Sequence, residues 1–197
     1  MAVLNALVRA RKGRCRVVAL FLTFISALLL PAPREISGQT AVPEAQVKAV
    51  FLFRFAEFVE WPPEAFADPH SPLIIGILGE DPFGRYLDEI ARGQHVNDRP
   101  FEIQRYRRVG EIRNCHVLFI SRSENARLEQ IAGFLASRSI LLVGESEGFA
   151  SRGGAIEFVP RGSKIRLRIN PAAAEAANLK ISSKLLRPSE IVPARKE

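Results

Sequence analysis

The sequence predicts an α/β fold, a single three-layer domain with a mostly parallel sheet plus a C-terminal antiparallel hairpin. Three observations indicate this fold. The chain has 197 residues, of which 47% are hydrophobic and 25% charged, a composition typical of a globular domain. Short apolar runs alternate with helical patterns up to residue 143, which is typical of parallel strands covered by helices. Near the C-terminus, two alternating segments follow each other directly, as in a hairpin.

The first predicted helix begins at Pro43 and Glu44, because both residues suit a first turn. Apolar residues at three- and four-residue steps form one wide stripe along it: Val47, Val50, Phe51, Phe55, Phe58 and Val59. Leu52 and Phe53 fall on the flanks of this stripe, so we expect the helix to be covered on more than one side. Trp61-Pro62-Pro63 ends the helix.

Four strands and two helices are predicted in the middle of the chain. The run Leu73–Leu78 is continuously apolar, as in a strand that is buried on both faces. Asp81 can cap the next helix with Pro82 in its first position, and this helix is expected to reach about Ala91. The other elements follow in alternation: strand Phe101–Tyr106, strand His116–Ile120, helix Ser123–Ser137 and strand Ile140–Val143.

The predicted hairpin consists of Ala155–Val159 and Ile165–Ile169. Apolar and basic residues alternate in its second strand, so one face is expected to be solvated. Glu157 can face either Arg166 or Arg168 across the hairpin. Two short helical segments are expected after it: an alanine-rich helix capped by Asn170-Pro171 and ending near Asn178, and a turn over Ser182–Leu186.

Residues 1–38 are interpreted as a secretory signal peptide and residues 39–197 as the folded domain, with a cut site between residues 38 and 41. A basic head over residues 1–16 precedes the uncharged run Val17–Leu30, and Pro31 follows it. A retained membrane anchor is the alternative, but a spanning helix needs about 20 apolar residues. The sequence therefore predicts export from the cytoplasm by the secretory route.

The positive charge of the chain is concentrated in this leader. The formal net charge is +7, and the leader holds six basic residues and one acidic residue. The other 22 basic and 20 acidic residues leave a net charge of about +2, which is weak for nucleic-acid binding. No nucleic-acid partner is expected.

One cysteine remains after the leader. Cys15 precedes the apolar run, whereas Cys115 lies in a predicted buried strand and has no partner for an internal disulfide. A buried core residue is the favoured interpretation. A reactive thiol and a disulfide between two copies are the alternatives.

Motifs that would indicate an enzyme are incomplete. Gly144–Gly148 matches the G-x-S-x-G pattern, but a nucleophile elbow requires a helix behind Ser146 and a histidine later in the chain. All three histidines precede Ser146, so a solvated acidic loop is favoured over a hydrolase site. Cys115 and His116 are neighbours in a strand and point to opposite faces, so no metal site is expected. We predict no cofactor and no enzymatic activity.

Trp61 is the single tryptophan and stands at the exit of the phenylalanine-rich helix, close to Arg54, Glu57 and Glu60. One interpretation is a core anchor with charges outside. The other is the rim of a ligand pocket or partner surface, where tryptophan and arginine are enriched.

Four segments resemble the YfiR family in the same order along the chain. Val47–Pro62 (VKAVFLFRFAEFVEWP) is similar to the first helix of the family, and Ile169–Leu186 (INPAAAEAANLKISSKLL) to its end. Ile74–Gly84 (IIGILGEDPFG) and Cys115–Ile120 (CHVLFI) lie between them. The ordered set behind a signal peptide covers nearly the whole mature chain.

The resemblance implies a periplasmic regulatory protein with a single α/β domain, typically a homodimer. The family namesake restrains an inner-membrane diguanylate cyclase by binding its periplasmic sensor domain, which controls cyclic-di-GMP and biofilm formation. A histidine-kinase sensor domain is the other partner considered, and the resemblance also implies a small aromatic ligand. A periplasmic ligand-binding module without a protein partner is the alternative function.

The chain departs from the family at its cysteines. Cys115 matches one member of a disulfide pair whose partner would fall near Gly76, where there is no thiol. A second pair, which would flank Ala150–Glu157, is also absent. Redox control through internal disulfides is therefore not expected.

The candidate partner- or ligand-binding residues form two groups. The apolar excess of the first helix predicts a self or partner contact at Leu52 and Phe53, and Arg54, which is close to Trp61, is a further candidate. The segments that resemble the family contribute Glu60, Trp61, Lys180 and Ser182.

Overall fold

An eight-stranded sheet forms the centre of the protein in a computed structural model, which describes residues 43–193. The predicted leader and its cut site lie outside these residues. The strands of the sheet are β2 (Leu73–Leu78), β3 (His95–Val96), β4 (Arg99–Tyr106), β5 (Val117–Ile120), β6 (Leu141–Gly144), β7 (Ile156–Arg161), β8 (Lys164–Ile169) and β10 (Glu190–Ile191). Their order is β10-β8-β7-β6-β5-β2-β4-β3. A separate two-stranded sheet pairs β1 (Val59–Glu60) with β9 (Lys180–Ile181).

Most neighbouring strands of the large sheet are parallel, as predicted. Only the β3–β4 and β7–β8 pairs are antiparallel. Every residue of β2, β5 and β6 is buried, which agrees with their continuous apolar sequences because strands covered on both faces need no polar side.

Helices cover both faces of the sheet. They are α1 (Glu44–Phe58), α2 (Arg85–Ala91), α3 (Leu128–Leu135), α4 (Pro171–Ala176) and α5 (Ser183–Leu186). Val117 and Phe119 of β5 pack in one core cluster with α1 and α2, whereas Leu118 and Ile120 pack in a second cluster with α3. Alternate side chains of a strand point to opposite faces of the sheet, so β5 packs against both helical layers. The predicted three-layer α/β class is confirmed. In the part of the chain that the structure describes, no helix has the length and apolarity to cross a membrane.

The buried face of α1 differs from the predicted stripe. Leu52, which was placed on a flank, is completely buried, and Val50, which was placed in the stripe, is 46% exposed. The inward face consists of Lys48, Ala49, Leu52, Phe55 and Ala56. Two of these residues, Ala49 and Ala56, are small and buried. Apolar periodicity does not take residue size into account, so the predicted stripe differs from the buried face by about one residue along the helix.

Two helix boundaries also differ from prediction. Asp81 does not cap α2. Its carboxylate accepts hydrogen bonds from the N–H groups of Phe83 at 2.8 Å and Gly84 at 3.2 Å, which makes a local turn, and the helix begins only at Arg85. The helix predicted from Ser123 begins as a 3₁₀ segment over Arg122–Arg127 and becomes α-helical at Leu128.

The C-terminal hairpin is confirmed and a second hairpin was missed. β7 and β8 pair antiparallel with Glu157 opposite Arg168, which decides between the two partners that the sequence allowed. The missed hairpin joins β3 to β4 through Asn97 and Asp98, whose φ angles are 49° and 63°. Both residue types tolerate this left-handed conformation, so the Asn-Asp pair was the available signal.

Candidate functional site

The sheet formed by β1 and β9 brings together four of the seven predicted site residues. Glu60 pairs with Lys180, and Val59 pairs with Ile181. The Ser182 N–H donates to the Phe58 carbonyl at 2.8 Å. The Ser182 hydroxyl accepts from the Lys184 N–H at 3.3 Å and so caps α5. Glu60, Trp61, Lys180 and Ser182 therefore lie in one region, although the chain between them contains most of the large sheet.

Trp61 contacts an aromatic and cationic cluster at the amino ends of β2, β4 and β5. Its ring lies edge-on to His116 with centroids 6.3 Å apart, and Phe66 stacks on the same imidazole at 4.4 Å. The Arg99 guanidinium lies 3.7 Å from the centre of the Phe66 ring. The Trp61 Nε1 atom is buried and has no hydrogen-bond partner among residues 43–193. Buried indole N–H groups usually have an acceptor, so this donor is an unsatisfied polar group within the described domain.

Two hydrogen bonds of the His116 ring connect this cluster to the sheet. Its Nδ1 atom accepts a hydrogen bond from the Ile74 N–H at 3.0 Å, which leaves Nε2–H to donate to the Ala65 carbonyl at 3.1 Å. Burial lowers the pKa of His116 below its usual value, and the nearby Arg99 charge lowers it further. The imidazole is therefore held in one neutral tautomer.

Phe53 and Arg54 lie in a separate region, which we name the α1 groove. It is a cavity of about 240 Å³ between α1, α2 and the β3–β4 hairpin. Its apolar lining residues include Val50, Phe53, Ile90 and Phe101. The Phe53 and Phe101 rings meet edge to face at 4.8 Å, and Arg54 pairs with Glu57 at 2.9 Å on the rim. Leu52 points away from this groove into the core.

A cavity of about 500 Å³, which we name the carboxyl-end cavity, lies at the carboxyl ends of β6 and β7 and was not predicted from the sequence. Arg122, Ser146 and Arg161 are among its lining residues. Beside it, the buried Lys48 amine of α1 forms ion pairs with Glu44 and Glu145. A lysine in the middle of an apolar helix face was the available signal, because such a lysine needs a carboxylate partner.

Ser146 lacks the neighbours that a nucleophile requires. The chain after it continues into a turn and the 3₁₀ segment Ala150–Arg152 rather than a long helix. Its hydroxyl makes no hydrogen bond to a described histidine, and His116 lies at the opposite end of the sheet. At the carboxyl end of β2, a Cβ on Gly79 would lie 2.4 Å from the Ser123 hydroxyl, so the Ser123 side chain already fills the space beside this glycine.

Cys115 is a buried free thiol, as favoured from the sequence. Burial raises its pKa to about 12, so the reactive thiolate is scarce at neutral pH. A Cβ built on Gly76 would lie 2.8 Å from the Cys115 sulfur. The position that faces Cys115 is thus the one where the family resemblance puts a second cysteine, and here it carries no side chain.

Comparison with known proteins identifies the family. Residues 45–190 match a family model described as YfiR/HmsC-like. The match includes nearly all of the described domain, from α1 to the start of β10. No curated protein matches the chain. The chain belongs to the YfiR/HmsC-like family.

Proposed function

We propose that this chain is a periplasmic regulatory protein that binds an inner-membrane diguanylate cyclase and holds it inactive. The family match over residues 45–190 carries this proposal. Restraint requires that the regulator bind the inactive conformation of its partner more tightly than the active one. In this proposal residues 1–38 act as a signal peptide that is removed on export, and the domain works as a regulator rather than as an enzyme.

The α1 groove is the surface that we propose for the partner. Val50 is 46% exposed at its edge, although the same helix supplies core residues on its other side. The half-buried Phe53 and Phe101 rings form its floor, and the Arg54–Glu57 pair gives a charged rim. An apolar centre with a charged rim is typical of protein interfaces. A second copy of this chain is the other occupant that this surface would suit.

A matched pair of variants tests the proposal. Val50→Asp places a charge in the groove, and Phe134→Asp places one on α3, where Phe134 is also exposed, at 52%. The partner is the purified sensor domain of a membrane cyclase or histidine kinase whose gene adjoins that of this chain. We expect Val50→Asp to weaken binding at least about tenfold, with Phe134→Asp similar to the wild type. Failure of the wild-type domain to bind, together with unchanged cyclic-di-GMP on deletion of the gene, would contradict the proposal.

A second candidate function, binding of a small aromatic ligand, is favoured by one observation. The unpartnered Trp61 Nε1–H lies beside His116 and close to the Glu60–Lys180 pair. Because Nε1 is buried, a ligand with an aromatic ring and an acceptor oxygen would satisfy that donor and stack on the ring only after the groups that cover the indole move aside.

Fluorescence tests this candidate directly because Trp61 is the single tryptophan. We expect indole-free benzoate derivatives to change its emission and to raise the melting temperature of the wild type in a saturable way. The Trp61→Phe variant should lose the thermal shift, while Phe134→Ala should keep it. An unchanged shift in Trp61→Phe would place the ligand elsewhere.

A further inference from the structure

The β7–β8 hairpin has a solvated face on which four basic side chains gather. Alternation along β8 places Lys164, Arg166 and Arg168 on the same face, and Arg161 of β7 lies directly opposite Lys164. We name these four residues the basic face. The other face of the hairpin, which includes Phe158 and Leu167, packs into the core.

Of the four cations of the basic face, only Arg168 has carboxylate partners within residues 43–193. Arg168 donates to Glu157 at 3.1 Å and to Glu190 at 2.9 Å. Within residues 43–193, no carboxylate lies within 4.0 Å of Arg161, Lys164 or Arg166, and all three are exposed. Like charges directly opposite each other across a hairpin are unfavourable. The outer half of the face therefore carries three cations that have no carboxylate partner in the described part of the chain.

The carboxyl-end cavity adjoins this face and adds donors to it. Arg161 lines both, and Arg122 enters the cavity from the segment after β5 with 62% of its side chain exposed. Ser146 is 94% buried, lines the cavity, and makes no hydrogen bond through its hydroxyl to another described residue. Val159 and Pro160 give the cavity an apolar wall. Three glutamates, Glu145, Glu147 and Glu157, also line the cavity. Glu145 pairs with Arg122 and Glu157 with Arg168, so Arg161 and the Ser146 hydroxyl are the groups without a partner among residues 43–193 that an anionic side chain with a carbon stem can contact.

We propose that the basic face and the carboxyl-end cavity bind an acidic, extended segment of a protein partner. Alternate residues of a strand lie about 6.6–6.8 Å apart, so the cations of β8 match carboxylates at alternate positions of an extended peptide. One further acidic side chain would enter the cavity toward Arg161 and the Ser146 hydroxyl. This inference rests on the proposed function, because it identifies a part of the partner that the regulator contacts.

The spacing distinguishes this peptide from other anions. Two peptides of equal composition serve as probes, one with alternating glutamate and threonine and one with the same residues in two blocks. We expect the alternating peptide to bind the domain at least about tenfold more tightly. Binding should weaken between 25 and 300 mM salt, the two experimental concentrations, because exposed charges are screened. Equal binding of both peptides would overturn the strand-spacing argument.

Charge reversal locates the surface. The double variant Arg161→Glu/Arg166→Glu should lose binding of the alternating peptide by at least about tenfold. Arg85→Glu/Arg113→Glu is its matched control, since both residues are exposed, have no carboxylate within 4.0 Å among the described residues, and give the same change in net charge. Equal loss in both variants would mean general attraction to a basic protein and would overturn the proposal. Binding of phosphatidylglycerol vesicles by the wild type, without binding of either peptide, would assign the surface to a membrane instead.

The sensor domain separates this inference from the proposed function. If the wild type binds the sensor domain and the Arg161/Arg166 reversal does not weaken that complex, the docking surface is wrong while the proposed function stands. If the wild type does not bind the sensor domain but binds the alternating peptide at the basic face, the proposed partner is wrong while the surface stands. Loss of both interactions in the reversal variant, with a normal melting temperature, is the expected result.

Discussion

The two ends of the large sheet bury polar groups by different means. At the carboxyl end, Glu157 is paired with Arg168, and Lys48 is paired with Glu145, so each buried charge has an opposite charge. At the amino end, His116 is buried without a carboxylate and uses both ring nitrogens for backbone hydrogen bonds. The stability of a buried ion pair is lost when one partner is removed, whereas the stability of a buried neutral imidazole is lost when the pH falls. The two ends should therefore fail under different perturbations.

Glu157→Ala is expected to have the largest effect. Residue Glu157 is 3% exposed. Its carboxylate accepts hydrogen bonds from the Gly148 and Ala150 N–H groups as well as from Arg168. Its removal leaves the two N–H groups unpaired and Arg168 with Glu190 alone, and should lower the free energy of unfolding by about 3 kcal/mol, measured by urea denaturation. Glu190→Ala removes the exposed partner of the same arginine and should cost less than about 1 kcal/mol. Equal losses would show that burial does not distinguish the two carboxylates.

Lys48→Met should lower the free energy of unfolding by about 2 kcal/mol. Among residues 43–193, Glu145 then keeps only Arg122, whose Nε atom is 3.6 Å from its carboxylate. The methionine retains most of the apolar stem, so the loss reports the charge rather than the packing. The double variant Lys48→Met/Glu145→Gln should regain at least half of the loss, because no buried charge remains. A double variant as unstable as the sum of the single variants would contradict this account.

Mild acid should lower the free energy of unfolding through His116, at the amino end of the sheet. Above the unfolded-state pKa of about 6.5, His116 is neutral in both the folded and the unfolded chain, and its contribution to the free energy of unfolding is fully present. Because burial lowers the pKa of His116 in the folded state, only the unfolded chain gains the proton as the pH falls below 6.5, and stability decreases. Between pH 7.5 and 5.5 this loss is at most about 1.4 kcal/mol.

The urea midpoint at the two pH values measures this effect. The variant His116→Gln should lose the pH-dependent part, whereas His70→Gln and His95→Gln, both at exposed positions, should keep it. A pH dependence that survives in His116→Gln would assign the effect to the carboxylates of the opposite end.

Trp61→Phe should have the smallest effect, a change of less than about 1 kcal/mol in the free energy of unfolding. The substitution removes a buried donor that has no partner, and this gain offsets the loss of ring area. Phe119→Leu is a suitable contrast because Phe119 is fully buried between aromatic neighbours, and it should cost at least about 1 kcal/mol. A larger loss at Trp61 than at Phe119 would mean that the indole is a core anchor.

The comparison also explains which site residues could be foreseen. Glu157 was assigned two possible partners from the alternation of β8, because cross-strand neighbours in a hairpin follow from local register. The pairing of Glu60 with Lys180 has no local signal, since each strand is only two residues long. Those residues were proposed from a family resemblance, and only the folded chain brings them together. Lys48 was not proposed. Its partner Glu44 is only four residues away, but its other partner, Glu145, is brought to it by the fold alone.

The sequence by itself determined the α/β class, the parallel strands, the basic and apolar faces of the C-terminal hairpin and the family. Each of these depends on periodicity or on motif order within short windows of the chain. Only the tertiary structure decided that Leu52 is buried and Val50 exposed, that the Trp61 indole lacks an acceptor among the described residues, and that Arg122, Ser146 and Arg161 share one cavity. The physical reason is that burial and unpaired donors depend on the size and position of groups from distant segments, which no local pattern contains.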